Sequence, residues 1–188
     1  MIAGMTALFD SEGWYRPATH HPSPNCNDRP DGELPSLIVL HNISLPPNQY
    51  GGPGILQLFS NQLNPDEHPY YATIHTLRVS AHFLIRRDGQ LLQFVPVLKR
   101  AWHAGASLWR GREQCNDFSV GIELEGCDTE AFTSQQYQQL NNLLAALQQQ
   151  WPSLQAVTGH SDIAPGRKTD PGPCFDWQQL NMPHQAAQ

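Results

Sequence analysis

Three features of the sequence predict an α/β fold with a mixed central β-sheet flanked by helices. Leu37-Ile38-Val39-Leu40 is a continuous apolar run, Val120 to Glu125 alternates with a period of two, and Ser134 to Trp151 carries an amphipathic helical stripe. With 188 residues the chain is expected to fold as one domain, 1–188, around one core. Its 39% hydrophobic and 15% charged residues fit a globular protein, and 16 prolines with 14 glycines imply many turns.

Taken in order, Arg16 to Pro35 is rich in Pro, Asn and Asp and reads as a loop. The run at Leu37 to Leu40 fits a strand buried on both faces, which delivers His41 and Asn42 at its end. Ser44 to Pro69, with Pro46-Pro47, Gly51-Gly52-Pro53-Gly54 and Asn64-Pro65, predicts a long loop with a short helix near Ile55 to Ser60. Ala81 to Ile85 and Leu91 to Val95 flank Asp88-Gly89, a type I′ hairpin signal. In the next strand Val120, Ile122 and Leu124 share one face, and Gly121, Glu123 and Glu125 the other, so two acids lie together. Thr133 and Gln136 form a capping box for the helix, Phe132 and Tyr137 a hydrophobic staple, and Leu140, Leu143, Leu144 and Leu147 its buried stripe before Pro152 stops it.

The formal charge of −6 and the lack of any Lys/Arg run argue against a nucleic-acid partner. No stretch has the roughly 18 apolar residues of a membrane span, and Met1 to Asp10 lacks the basic and apolar regions of an export signal. A cytoplasmic location is therefore expected. The four cysteines are scattered without CxxC spacing, which favours free thiols over a disulfide framework or a cysteine-built metal site.

Nine histidines are the more informative feature. Thr158-Gly159-His160 opens a polar loop, with little to bury, that runs through Asp170-Pro171-Gly172. His160 and Asp170, combined with His41, could supply N, N and O donors to zinc and leave a fourth position for water, the pattern of catalytic sites. Such a metal lowers the pKa of water from about 15.7 toward 7 and polarises a carbonyl. Taken singly, each residue has a plainer reading: His41 as a hydrogen-bonded strand end, His160 as a turn histidine and Asp170 as a turn cap.

The segments LIVLHNISLPP, LRVSAHFLIRRDG, KRAWHAG, NDFSVGIELEG and TGHSDIAPGRKTDPGP occur in this order and together resemble the AmpD-type N-acetylmuramoyl-L-alanine amidases, relatives of phage amidase lysozymes and peptidoglycan-recognition proteins. The similarity covers most of residues 11–178. It implies one zinc per chain held by His41, His160 and Asp170, with Glu123 as the catalytic acid/base and Lys168 beside the developing oxyanion. Glu125, on the same strand face, is the alternative base. The implied reaction is hydrolysis of the amide between a muramyl lactyl group and L-alanine, and the implied cytoplasmic substrates are recycled 1,6-anhydro-N-acetylmuramyl peptides.

Asn42 and Arg78 are candidate donors to substrate, although Arg78 reads equally as a surface charge. His82 reads as a buried, backbone-bonded histidine in preference to a partner of a metal ligand, Trp102 as either a groove or a core aromatic, and His103 as either a groove or a surface-loop residue. Where the family frequently has a basic residue this chain has Gln114, with Arg112 nearby. A non-catalytic muropeptide-binding module and an exported wall amidase are the rival readings. A zinc deaminase lacks its His-x-Glu and Cys-x-x-Cys pair here.

Overall fold

The computed structural model describes residues 7–187, so the first six residues of the Met1 to Asp10 segment lie outside the described residues. Ten strands are β1 (Thr19–His20), β2 (Cys26–Asp28), β3 (Leu37–Ile43), β4 (Phe83–Ile85), β5 (Leu91–Gln93), β6 (Lys99–Ala101), β7 (Leu108–Trp109), β8 (Arg112–Glu113), β9 (Ser119–Glu125) and β10 (Ala156–Gly159). The helices are α1 (Gly54–Phe59), α2 (Pro69–Ile74), α3 (Ser134–Gln150) and α4 (His160–Ile163). Six strands form one sheet in the order β1-β5-β4-β9-β3-β10, antiparallel only between β4 and β5, which is the expected mixed sheet.

β3 and β9 pair in parallel from Leu37↔Ser119 to Ile43↔Glu125, which sets His41 directly beside Glu123. Alternation then divides the two strands between two layers. Ile38, Leu40, Val120, Ile122 and Leu124 bury against Leu140, Leu143, Leu144 and Leu147 of α3. Leu37 and Val39 join a separate cluster with Phe118 and Trp109, and the same parity carries His41, Gly121 and Glu123 to that second face. Each fully buried leucine stabilises the fold by about 2 kcal/mol.

α3 begins where its local chemistry says it should. Thr133 Oγ1 accepts the Gln136 backbone N–H at 3.2 Å, and Gln136 Oε1 accepts the Thr133 N–H at 3.1 Å. Gln136 Nε2 then donates to the carbonyls of Ile85 (3.2 Å) and Glu125 (2.9 Å), so the cap also fastens the helix to the ends of β4 and β9. Phe132 and Tyr137 both pack on Phe175, at ring separations of 5.5 and 5.3 Å.

Several expectations are corrected. The hairpin between β4 and β5 is not type I′: of its loop residues only Gly89 has positive φ, at 86°, and the Gly89 N–H donates to the Arg86 carbonyl at 2.9 Å. That pattern is a three-residue loop, a type I turn closed by a left-handed glycine, which leaves Arg87 and Asp88 unstrained. The Arg16 to Pro35 loop contains β1 and β2, which pair with β5 and β6. By contrast, Ser44 to Pro69 is the expected long loop with one short helix, α1, and it runs into α2, where His68 Nδ1 accepts the Tyr70 N–H at 3.0 Å and Pro69 occupies the first helical position. The segment after Gly159 is not a bare polar loop either, because α4 starts at His160 and buries Ile163. The four cysteines are unpaired.

Candidate active site

His41 lies near the C-terminal end of β3, and His160 opens α4 immediately after β10, the parallel neighbour of β3. Both strands therefore present a histidine at the same carboxyl edge of the sheet, where sites in such folds collect. Asp170 is brought back to that edge by the 164–170 loop. Its carbonyl accepts the Ser161 N–H at 2.9 Å, and the Ala164 carbonyl takes the N–H groups of Arg167 and Lys168, each at 3.1 Å. His41 Nδ1, His160 Nδ1 and Asp170 Oδ2 lie 3.0 Å from one another.

The donor set of this triad fits zinc. His160 Nε2 faces the Ala104 carbonyl at 3.0 Å and donates to it, which leaves His160 Nδ1 as the atom turned to His41 Nδ1 and Asp170 Oδ2. Burial, reinforced by the neighbouring His160, pushes His41 down to about 4, so it is a neutral imidazole at pH 7. Two imidazoles and one carboxylate are the N, N, O ligand chemistry of catalytic zinc sites.

Glu123 stands next to His41 across the β3–β9 ladder. Its Oε2 is buried without a hydrogen-bond partner. Burial, then the charge of Asp170, raises its carboxyl well above the ordinary value, with Lys168 pulling the other way. A buried carboxylate oxygen left unpaired is costly, and such costs concentrate where a proton must be handled. Lys168 is exposed and lines the same cleft, which has a volume of about 520 Å³.

Glu125, the alternative base, is engaged elsewhere. Its Oε1 accepts the Gly51 N–H at 2.7 Å and Arg86 Nη1 at 3.2 Å, and its Oε2 accepts the Arg87 N–H at 3.2 Å. Arg86 also donates to the Gly52 carbonyl, so this buried pair anchors the long loop to the hairpin. Removing one partner leaves the other charge stranded. Arg86→Met is accordingly expected to lower the unfolding free energy by about 3 kcal/mol in a denaturant titration, while Glu125→Gln keeps turnover.

The remaining candidates divide. Asn42 lines the cleft, yet its amide nitrogen donates to Asp128 Oδ1 (2.7 Å) and the Pro171 carbonyl (3.0 Å), which steadies the segment carrying Asp170. Arg78 is exposed between Leu77 and Val79, which both line the cleft, but it is not itself among the lining residues. Its guanidinium donates to the carbonyls of Thr76 and Leu77 at 3.1 and 3.2 Å. His82 is a buried, backbone-bonded residue: Nδ1 accepts the Gly121 N–H at 3.0 Å, which makes Nε2 the donor to the Lys99 carbonyl, also at 3.0 Å. Arg112 pairs with Glu33, and Gln114 lines a different cavity with Ser107 and Ile163. Trp102 and His103 both line the cleft. His103, left open between groove and surface by its sequence, has its Nδ1 2.9 Å from His41 Nε2.

The N-acetylmuramoyl-L-alanine amidase family model matches residues 31–173 of this chain. The chain is 59% identical over 170 residues to the 1,6-anhydro-N-acetylmuramyl-L-alanine amidase AmpD of Citrobacter freundii, covering 90% of this chain and 91% of that one. It is 56% identical over 172 residues to the protein of the same name from Escherichia coli K12, covering 91% and 94%. The crystal structure of a selenomethionine AmpD derivative superposes with a TM-score of 0.90 at 58% identity, over 92% of this chain and 97% of that one. With the fold, the convergent triad and the adjacent buried carboxylate in agreement, the chain belongs to the N-acetylmuramoyl-L-alanine amidase family and is an enzyme of that class.

Proposed function

We propose that this amidase hydrolyses the amide between the lactyl group of 1,6-anhydro-N-acetylmuramic acid and the L-alanine of muropeptides, in cytoplasmic peptidoglycan recycling. The whole chain, 1–188, acts as a single zinc amidase domain, with one zinc held by His41, His160 and Asp170. The observation that carries this reading is the unpartnered, buried Oε2 of Glu123 beside three converging ligand atoms. The substrate is that of the two relatives, both 1,6-anhydro-N-acetylmuramyl-L-alanine amidases.

When bound, zinc supplies a water of lowered pKa and polarises the lactyl carbonyl. Glu123 takes the proton of the attacking water and returns one to the departing alanine nitrogen, a role suited to a carboxyl whose pKa burial raises well above its ordinary value. Lys168, at the open side of the cleft, sets a positive charge where the tetrahedral oxyanion develops. Asn42, through its amide oxygen, and Arg78, beside the cleft-lining Leu77 and Val79, are assigned as substrate-binding residues. Neither nucleic acid nor a membrane is a partner in this reading, which the net charge of −6 supports. Among the described residues no helix is long and apolar enough to cross a membrane.

The test is zinc content by elemental analysis, together with mass-spectrometric detection of peptide released from anhydro-muramyl tripeptide. Stoichiometric zinc is expected, with release abolished by a chelator and restored by zinc. A metal-free protein that releases peptide at full rate overturns the zinc assignment. Faster release from the reducing-end muropeptide than from the anhydro form overturns the substrate assignment.

A further inference from the structure

We infer that His103 is a positioning residue for the metal site: it accepts the outer N–H of His41 and thereby holds His41 with Nδ1 turned toward His160 and Asp170. The inference builds on the proposed zinc site but concerns a residue outside the triad.

The geometry is that of a relay. His41 Nε2 is 2.9 Å from His103 Nδ1, and His103 Nε2 is 3.1 Å from Ser119 Oγ. The two rings lie 5.0 Å apart at 86°, an edge-on approach that aims nitrogen at nitrogen in the ring plane. A neutral imidazole carries one N–H, so whichever nitrogen donates outward leaves the other as the ligand. With His41 donating through Nε2, its Nδ1 is the free lone pair, and His103 then turns its own Nε2–H to Ser119.

The loop that carries His103 is built for this contact. Asn116 Oδ1, buried, accepts the backbone N–H groups of both His103 (3.1 Å) and Ala104 (2.8 Å). The Ala104 carbonyl in turn accepts His160 Nε2 at 3.0 Å. One dipeptide therefore contacts the outer nitrogen of both histidines in the triad, through a side chain for His41 and a carbonyl for His160. Space for the His103 ring comes from Gly121 in the middle of β9. A Cβ there would lie 2.5 Å from His103 Cγ, although an interior strand glycine gives up packing and costs backbone entropy. Gly121 shares the sheet face of Glu123, so the bare strand position and the acid/base candidate belong to one surface.

The experiment compares His103→Leu and His103→Asn by competition with a chromophoric zinc chelator, with circular dichroism to check the fold. Asn can place an oxygen where Nδ1 stood; Leu fills the space and accepts nothing. His103→Leu is expected to weaken zinc binding by about 10- to 100-fold, as loss of an outer partner does, with His103→Asn within about three-fold of the parent. Leu binding zinc as tightly as the parent, or Asn weakened as much as Leu, reduces His103 to packing and overturns the inference. A second measurement covers the case in which His103→Leu does not fold. Long-range ¹H–¹⁵N correlation on the metal-free parent at neutral pH should find His41 protonated at Nε2 and His103 at Nε2; a proton on His103 Nδ1 overturns the inference. If the parent itself binds no zinc, the proposed metal site fails, while the tautomer measurement still decides the His41–His103 contact.

Discussion

Glu123→Ala is expected to keep its bound zinc and lose turnover by about 10²- to 10⁴-fold, the range that a positioned general acid/base contributes. The residue lies beside the triad without being part of it, so its loss removes proton transfer and leaves the three ligand atoms in place. A second effect separates this role from a structural one. Because the folded-state pKa of Glu123 is raised, the native protein holds a proton that the unfolded chain releases as pH climbs past 4.5, and ionisation above that point costs stability. Metal-free Glu123→Gln should therefore melt higher than the parent at pH 7 and show a smaller advantage below pH 4.5. Zinc loss comparable to that of a triad variant, or turnover within a few-fold of the parent, would move the proton-transfer role to another group.

Asp170→Ala is expected to lose both zinc and activity. Asp170 provides the only carboxylate oxygen among the three converging atoms, and its removal takes away the one anionic ligand that offsets a metal's charge. The loss of zinc affinity should exceed the roughly 100-fold upper range for an outer-shell partner, read by the same chelator competition. The fold should persist, because the β3, β9 and β10 ladder and the α3 layer do not depend on the 164–170 loop. Unfolding of Asp170→Ala in chelator, where the parent stays folded, would instead make Asp170 a structural anchor.

These two variants act on residues legible in the sequence alone, and the reason is local. A capping box and a 3.6-residue stripe define α3 through contacts a few residues apart, and both are found in the fold, whereas Phe132 and Tyr137 each pack on the ring of Phe175. The period of two in β9 places Glu123 and Glu125 on one face by pleat alone. What that period could not do was separate them. Glu125 spends both oxygens on Gly51, Arg86 and Arg87, while Glu123 Oε2 is left bare, a difference created by a loop and a hairpin distant in sequence.

The same division runs through the histidines. His82 reads correctly as a buried, backbone-bonded residue, whereas His103 sits in a short Trp-His-Ala-Gly segment with no periodicity to say which way it faces. Its contact with His41 spans 62 residues, and the glycine that admits its ring belongs to another strand. Arg78, taken as a substrate donor on its charge, spends hydrogen bonds on adjacent carbonyls and lies outside the cleft lining. The hairpin shows the limit at short range: Asp-Gly marks a turn, but the pairing of Arg86 with Gln90 selects three loop residues over two.

By itself, then, the sequence determined the class of fold, the main helix, the two central strands and the ligand types available to a metal, because propensity, pleat and side-chain chemistry act within a few residues. Tertiary structure alone decided that β10 lies parallel to β3, so that His160 arrives beside His41, and that Glu123 rather than Glu125 is left unpaired. Those outcomes depend on strand order and loop closure between segments distant in the chain, where no local pattern records which groups will meet.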